Sequence, residues 1–141
     1  MRYLLAGILA LSVAGCSGSG STTSPSDASV TGTWVGAINN TSLGRENLTT
    51  ALVQSGTTVS GTWSALYEST PVTNYSGLLA GTKTGTAVSL TLTPAPAVAT
   101  PECSYTYNAT LSTSTLMAGT FVSFNCPNGV VDSGTLTLTK Q

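Results

Sequence analysis

The stretch Val30-Thr31-Gly32-Thr33-Trp34 recurs three more times at a constant offset of 29 residues. The later copies are Val59-Ser60-Gly61-Thr62-Trp63, Val88-Ser89-Leu90-Thr91-Leu92 and Met117-Ala118-Gly119-Thr120-Phe121. Apolar and small polar residues alternate in these copies, which is the period-two pattern of a β-strand with one buried face. Since a 29-residue period holds two strands and two connections, the repeat predicts a succession of strand pairs.

Weaker alternating runs lie between the copies and supply the second strand of each pair. They are Asn47–Gln54, Tyr75–Gly81, Cys103–Leu111 and Gly134–Lys140. Short connections follow the second, fourth and sixth strands (Ser55-Gly56, Lys83-Thr84-Gly85 and Thr113-Ser114-Thr115), and longer ones follow the others. The long loops therefore share one rim of an up-and-down meander. Pairing of the last strand with the first would remove both sheet edges. The sequence therefore predicts an all-β domain over residues 30–141, an eight-stranded antiparallel up-and-down barrel.

The two faces of the predicted strands differ in chemistry. Val30 and Trp34 share one face of the first strand, while Thr31 and Thr33 share the other. We expect the apolar face inside and the hydroxyl-bearing face outside, which is the reverse of a membrane-spanning barrel. This arrangement explains a composition with 19 Ser and 26 Thr among 141 residues.

The charged residues are few enough to exclude several classes of function. The chain has no histidine, four Lys and Arg together, and five Asp and Glu together. Without histidine there is no imidazole acid–base chemistry and no His-ligated metal. Four cations make no basic patch for nucleic acid. We therefore expect a non-enzymatic protein with no cofactor, no metal and no nucleic-acid partner.

The first strand also carries a family resemblance. Gly32-Thr33-Trp34 resembles the Gly-x-Trp motif of the calycins (lipocalins, fatty-acid-binding proteins and avidins), and Gly61-Thr62-Trp63 adds a likeness to avidins. The resemblance implies a small β-barrel whose base is closed by Trp34. Avidin-like biotin sites need a Tyr/Asn/Ser cluster just after the first strand. Here Val35-Gly36-Ala37 follows Trp34, so biotin binding is not implied.

The inward-facing aromatic residues are the candidates for ligand contact. They are Trp34, Trp63, Tyr105, Tyr107 and Phe121. An eight-stranded barrel is either filled by its own side chains or holds one small ligand, and the sequence leaves both interiors open.

The N-terminal residues predict an export signal. A cationic start, Met1-Arg2-Tyr3, precedes the apolar run Leu4–Val13, which is too short to cross a bilayer. Val13-Ala14-Gly15-Cys16 resembles the lipobox of bacterial lipoproteins. The resemblance implies a diacylglyceryl group on the Cys16 thiol, cleavage after Gly15 and acylation of the new amine. Several acyl chains, such as palmitate, hold a protein stably at a membrane.

The predicted chain thus has three parts: a signal peptide over 1–15, the lipidated Cys16 with a Ser/Gly-rich tether over 16–29, and the barrel. Ser17 after the cysteine favours the outer membrane if the source is Gram-negative. Exported domains commonly hold an even pair of cysteines as a disulfide, and Cys103 and Cys126 are such a pair. A redox or metal pair is disfavoured, since there is no CxxC spacing.

Most of the acidic residues fall in predicted long loops. These are Glu46, Glu68, Glu102 and Asp132. Loops tolerate charge, which accounts for this placement; a more specific interpretation is an acidic mouth for cationic or carbohydrate ligands, or for calcium.

Together these features predict a lipid-anchored, extracytoplasmic barrel that binds a small or apolar ligand. A calycin-like protease inhibitor and a structural or surface-display envelope lipoprotein are the alternatives.

Overall fold

A computed structural model describes residues 23–41, 44–68, 74–96, 103–127 and 129–141. The predicted signal peptide, Cys16 and residues 17–22 of the predicted tether lie outside these described residues, as does Glu102. Across the described ranges, no helix is long and apolar enough to cross a membrane.

Eight antiparallel strands form a closed barrel in which each strand pairs with its neighbours in sequence, and β8 closes on β1. The strands are β1 (Gly32–Asn40), β2 (Gly44–Ser55), β3 (Thr58–Tyr67), β4 (Asn74–Thr84), β5 (Ala87–Pro94), β6 (Ser104–Thr113), β7 (Leu116–Phe124) and β8 (Ser133–Lys140). The predicted up-and-down barrel is confirmed. We call the end with the tight turns after β2, β4 and β6 the base, and the opposite end the mouth.

Alternation along each strand builds the interior. On β5, Val88, Leu90 and Leu92 are buried, while the residues between them are exposed. The same period holds on β2, where Leu48 and Leu52 are buried and Thr49 and Ala51 are exposed. Burial of one apolar face of every strand is the main stabilising contribution of this fold.

Two charged residues expected in connections lie in strands. Glu46 belongs to β2, where it pairs with Ile38 and faces inward with Leu48. Lys83 belongs to β4 and is also buried. The sequence predicts a loop at Glu46 and a turn at Lys83, but strand pairing extends through both residues. The Asn40 amide donates to the Glu46 carboxylate, and the Lys83 ammonium donates to the Ser26 carbonyl.

Residues 23–31, which we call the base segment, cover the base of the barrel. A turn forms where the amides of Asp27 and Ala28 donate to the Ser24 carbonyl at 2.9 and 3.0 Å. Beyond the turn, Ala28 and Val30 are buried in the core. The sequence predicts a flexible tether up to Ser29, and the structure differs at its described end, which is folded onto the barrel.

Two lysines hold the base segment in place. The Lys83 ammonium donates to the Ser26 carbonyl at 2.8 Å, and the Lys140 ammonium donates to the Ser29 carbonyl at 3.0 Å. These partners lie 57 and 111 residues apart in sequence, so the contacts form only in the closed barrel. Each lysine thereby joins one main-chain carbonyl of the base segment to a strand of the barrel.

Replacing Lys83 with methionine should lower the free energy of unfolding by about 1–2 kcal/mol, because a charge-assisted hydrogen bond is lost at a buried site. Urea denaturation measures this change, and limited proteolysis should show faster cleavage within the base segment. Arg45→Met removes an equal charge from an exposed position and should leave both readouts unchanged. If the two variants had the same free energy of unfolding and the same rate of cleavage in the base segment, the role given to Lys83 would be contradicted.

Cys103 and Cys126 form the expected disulfide, with their Cα atoms 4.2 Å apart. It joins the residue before β6 to a residue just after β7, at the mouth. Constraint of the unfolded chain by a loop of this length should contribute about 3 kcal/mol.

Candidate functional site

Four of the five aromatic residues proposed from the sequence meet inside the barrel. Trp63 contacts Tyr105 edge to face, with ring centroids 6.3 Å apart, and Tyr105 lies 6.0 Å from Phe121. Tyr107 completes the group at 5.7 Å from Phe121 and 6.3 Å from Tyr105. We call these four residues the aromatic cluster. It joins β3 to β6 and β7 across the interior, in the half of the barrel nearer the mouth.

Strand alternation and register place these rings. Tyr105 and Tyr107 are two residues apart on β6 and therefore share the inward face. Tyr107 pairs directly with Phe121 on β7. The rings thus meet because of strand geometry, and alternation in the sequence was sufficient to place all four inside.

Inward glycines give two of the rings their room. Gly77 pairs with Trp63, and a Cβ at this position would lie 2.8 Å from the indole nitrogen. Gly134 pairs with Phe121, and a Cβ there would lie 2.7 Å from the ring. At Gly77 and Gly134, as at Gly61 and Gly119, the carbonyl oxygen of the neighbouring strand also lies 1.9–2.0 Å from the side-chain position. These glycines therefore serve close strand packing and do not open a cavity.

Trp34, the fifth predicted residue, lies apart from the cluster at the base. It is completely buried, and its indole N–H donates to the Val30 carbonyl at 2.8 Å. The Lys140 ammonium lies 5.8 Å from the ring centroid. Trp34 therefore joins the base segment to the barrel, which agrees with the base-closing position that the calycin resemblance implies.

The interior also holds polar groups beside the five aromatic candidates. Glu46 is buried near the mouth, and the Asn40 amide donates to its carboxylate at 3.4 Å. Thr50 is only 2% exposed and lies between Trp34 and Trp63 in the strand register. Its hydroxyl has no hydrogen-bond partner within the part of the chain that the structure describes. Alternation along β2 could have predicted their positions, because Glu46 and Thr50 are each two residues from Leu48 and so face the same way.

The acidic residues do not gather into a ring among the described residues. Glu68 pairs with Arg45 on the outer surface at 3.3 Å, and both side chains are about half exposed. Asp132 is buried in the connection between β7 and β8. The Thr41 hydroxyl and the Ser133 amide each donate to its carboxylate at 2.8 Å, which fixes the connection where it enters β8. No group of three candidate metal ligands occurs within the described ranges. The described residues therefore give no support to an acidic, calcium-binding mouth.

Shallow grooves mark the outer surface on either side of Leu78, which is 68% exposed. Each has a volume of about 460 Å³. Thr62 and Leu78 line both grooves, together with outward-facing Ser, Thr and Ala side chains. Among the lining residues Trp63 is the one aromatic residue, and it lines only one of the two grooves, whereas four aromatic rings meet in the barrel interior.

Two solved structures share the barrel fold. The first, "Structure of EF1p2_mFAP2b bound to DFHBI", has a TM-score of 0.66 and 15% sequence identity, over 79% of this chain and 93% of that chain. The second, the S-type phycobiliprotein lyase CPES from Guillardia theta, has a TM-score of 0.54 and 8% identity, over 79% and 88% of the two chains. No family model and no curated protein matches the sequence. At these identities the likeness establishes the barrel fold.

Proposed function

We propose that the protein is a lipid-anchored, extracytoplasmic β-barrel that binds a small or apolar ligand in its interior and catalyses no reaction. The observation that carries the proposal is the aromatic cluster, which presents four large rings to the barrel interior in its mouth half. Small-molecule sites are lined predominantly by hydrophobic and aromatic side chains with a few polar groups, which is the mixture of residues that this interior holds.

The structural comparison supports this proposal. One barrel of the same fold has been solved with DFHBI bound, and the other is a phycobiliprotein lyase. A barrel of this size is therefore large enough to serve as a binding scaffold. The ligand class for this chain follows from its own interior, which is apolar and aromatic except for Glu46, Thr50, Lys83 and Ser123 among the described strand residues.

The anchor rests on the N-terminal motif. Lipidation of Cys16 would attach the chain to a membrane, with the outer membrane favoured in a Gram-negative source, and the base segment would place the base of the barrel toward that membrane. The mouth would then face away from the lipid. This orientation supports capture of a ligand from the surrounding water.

The alternatives use other parts of the molecule. A calycin-like protease inhibitor would act through its N-terminal segment or its loops. The described part of the N-terminal segment packs on the base and accepts hydrogen bonds from Lys83 and Lys140. A segment held in this way is not free to enter the active site of a protease. A structural or surface-display lipoprotein would need no ligand at all.

Mass spectrometry of the protein purified from the envelope of its own host tests both halves of the proposal. Denatured intact mass should show loss of residues 1–15 and addition of a diacylglyceryl group and a fatty acyl chain at Cys16. Native mass spectrometry should show an additional small molecule that departs on denaturation. A Cys16→Ser variant should stay unlipidated and move to the soluble fraction, whereas Ser17→Ala keeps the cysteine and should remain lipidated. An unlipidated wild type would overturn the anchor, and an empty barrel with a fully packed interior would overturn the ligand.

A further inference from the structure

We infer that the Thr50 hydroxyl is the polar recognition point of the interior, so that the ligand is an uncharged aromatic molecule carrying one hydrogen-bonding group. This inference rests on the proposed function and names the class of ligand. It starts from a side chain that is 2% exposed and whose oxygen has no hydrogen-bond partner in the described ranges.

An unpaired buried hydroxyl is costly to the empty protein. Burial removes its hydrogen bonds to water, and nothing in the described chain replaces them. Valine has nearly the same shape and would fit between Leu48 and Leu52, the inward-facing residues on either side of Thr50 along β2. A threonine here therefore weakens the empty barrel, and a bound partner for the hydroxyl would offset the cost.

The neighbours of Thr50 define what such a partner looks like. In the strand register Thr50 pairs with Trp34 on one side and Trp63 on the other. Both indole N–H groups point elsewhere, to the carbonyls of Val30 and Thr93 at 2.8 and 3.3 Å. Neither indole N–H is therefore available to Thr50, and its hydroxyl is the group that offers a hydrogen bond at this position.

The ligand class follows from this combination. Planar rings pack well against indole and phenol rings, and Trp63 links the position of Thr50 to Tyr105 in the aromatic cluster. A charged group beside Thr50 would lose its hydration among apolar neighbours, so the polar end of the ligand is neutral. A phenol, ketone or amide meets these requirements, since a threonine hydroxyl both donates and accepts.

Two naphthalene probes separate the contribution of the hydroxyl from that of the rings. Equilibrium dialysis of the Cys16→Ser chain gives dissociation constants for 2-naphthol and for 2-methylnaphthalene, which has a methyl group in place of the hydroxyl. Thr50→Val should weaken 2-naphthol binding by about tenfold, the effect of one lost hydrogen bond. It should leave 2-methylnaphthalene binding unchanged or tighter. Thr120→Val, on the exposed outer face of β7, should change neither constant.

Thermal unfolding without any probe supplies an independent readout. Removal of an unpaired hydroxyl should raise the midpoint of Thr50→Val by about 4 °C, and the midpoint of Thr120→Val should not move. A lower midpoint for Thr50→Val would show that the protein itself satisfies the hydroxyl, and the inference would fail. If Thr50→Val bound both probes and the ratio of their two dissociation constants were the same as in the wild type, the inference would be overturned and the proposed function would stand. Failure of the wild type to bind either probe would overturn both.

Discussion

Replacing Trp34 with alanine should lower the free energy of unfolding by about 3–5 kcal/mol, the usual cost of truncating a large core aromatic. The side chain is completely buried, and it also donates the hydrogen bond that fixes Val30. Its loss leaves a cavity at the base and frees the base segment from the barrel. Urea denaturation measures this change, with the fluorescence of Trp63, the other tryptophan of the chain, as the signal of unfolding.

Two further variants sharpen the result for Trp34. Trp34→Phe keeps an aromatic ring but removes the indole N–H, so it should cost less than Trp34→Ala and still loosen the base segment. Leu78→Ala truncates a side chain that is 68% exposed and should change stability by no more than about 0.5 kcal/mol. A loss of less than about 1 kcal/mol in Trp34→Ala would refute the assignment of this residue as the closure of the base.

Replacing Gly36 with alanine should be as damaging, although it adds only one methyl group. A Cβ on Gly36 would lie 1.9 Å from the Thr137 carbonyl oxygen and 2.9 Å from the Leu138 Cα. Both obstacles are main-chain atoms of β8, so no side chain can rotate away and the two strands must separate. We expect a loss of about 3 kcal/mol, at the upper end of the usual cost of overpacking. Hydrogen exchange should report faster opening of the amides between β1 and β8.

The matched control for Gly36 is a glycine with open space around it. Gly85 has φ +57° in the turn between β4 and β5, and a Cβ there would meet no atom within 4 Å. Asparagine tolerates this left-handed conformation, so Gly85→Asn should cost under about 1 kcal/mol. If Gly36→Ala kept the stability of the wild type, the close approach of β1 and β8 would be wrong.

Periodicity was enough to predict the strand number and the direction of each face, because both follow from local alternation. Strand ends were harder to predict, since a charged residue usually marks a connection. Glu46 and Lys83 are exceptions: Asn40, six residues before Glu46, bonds to it across the first hairpin, and the partner of Lys83 is Ser26, 57 residues away. The local sequence contains no information on a contact as distant as that of Lys83.

The base segment and the Thr50 hydroxyl were also beyond prediction from local sequence. Ser24–Ser29 has the composition of a flexible linker, and its order depends on Lys83 and Lys140, which reach it only after the barrel closes. Four aromatic residues of the candidate site were predictable from strand parity. The unsatisfied hydroxyl of Thr50 was not, because hydrogen bonding depends on every neighbour in three dimensions.

The closure between β1 and β8 also bears on the order in which the molecule assembles. Seven of the eight strand interfaces join consecutive strands, whereas the eighth brings Trp34 beside Lys140. Hairpins form quickly because their loops are short, while joining the two ends of the sheet carries the largest loop entropy. Until that step is complete, β1 and β8 present unpaired edges on which another chain could add a strand. Gly36, by allowing the close approach of these two strands, therefore stabilises the closed barrel, in which neither strand offers an unpaired edge to another chain.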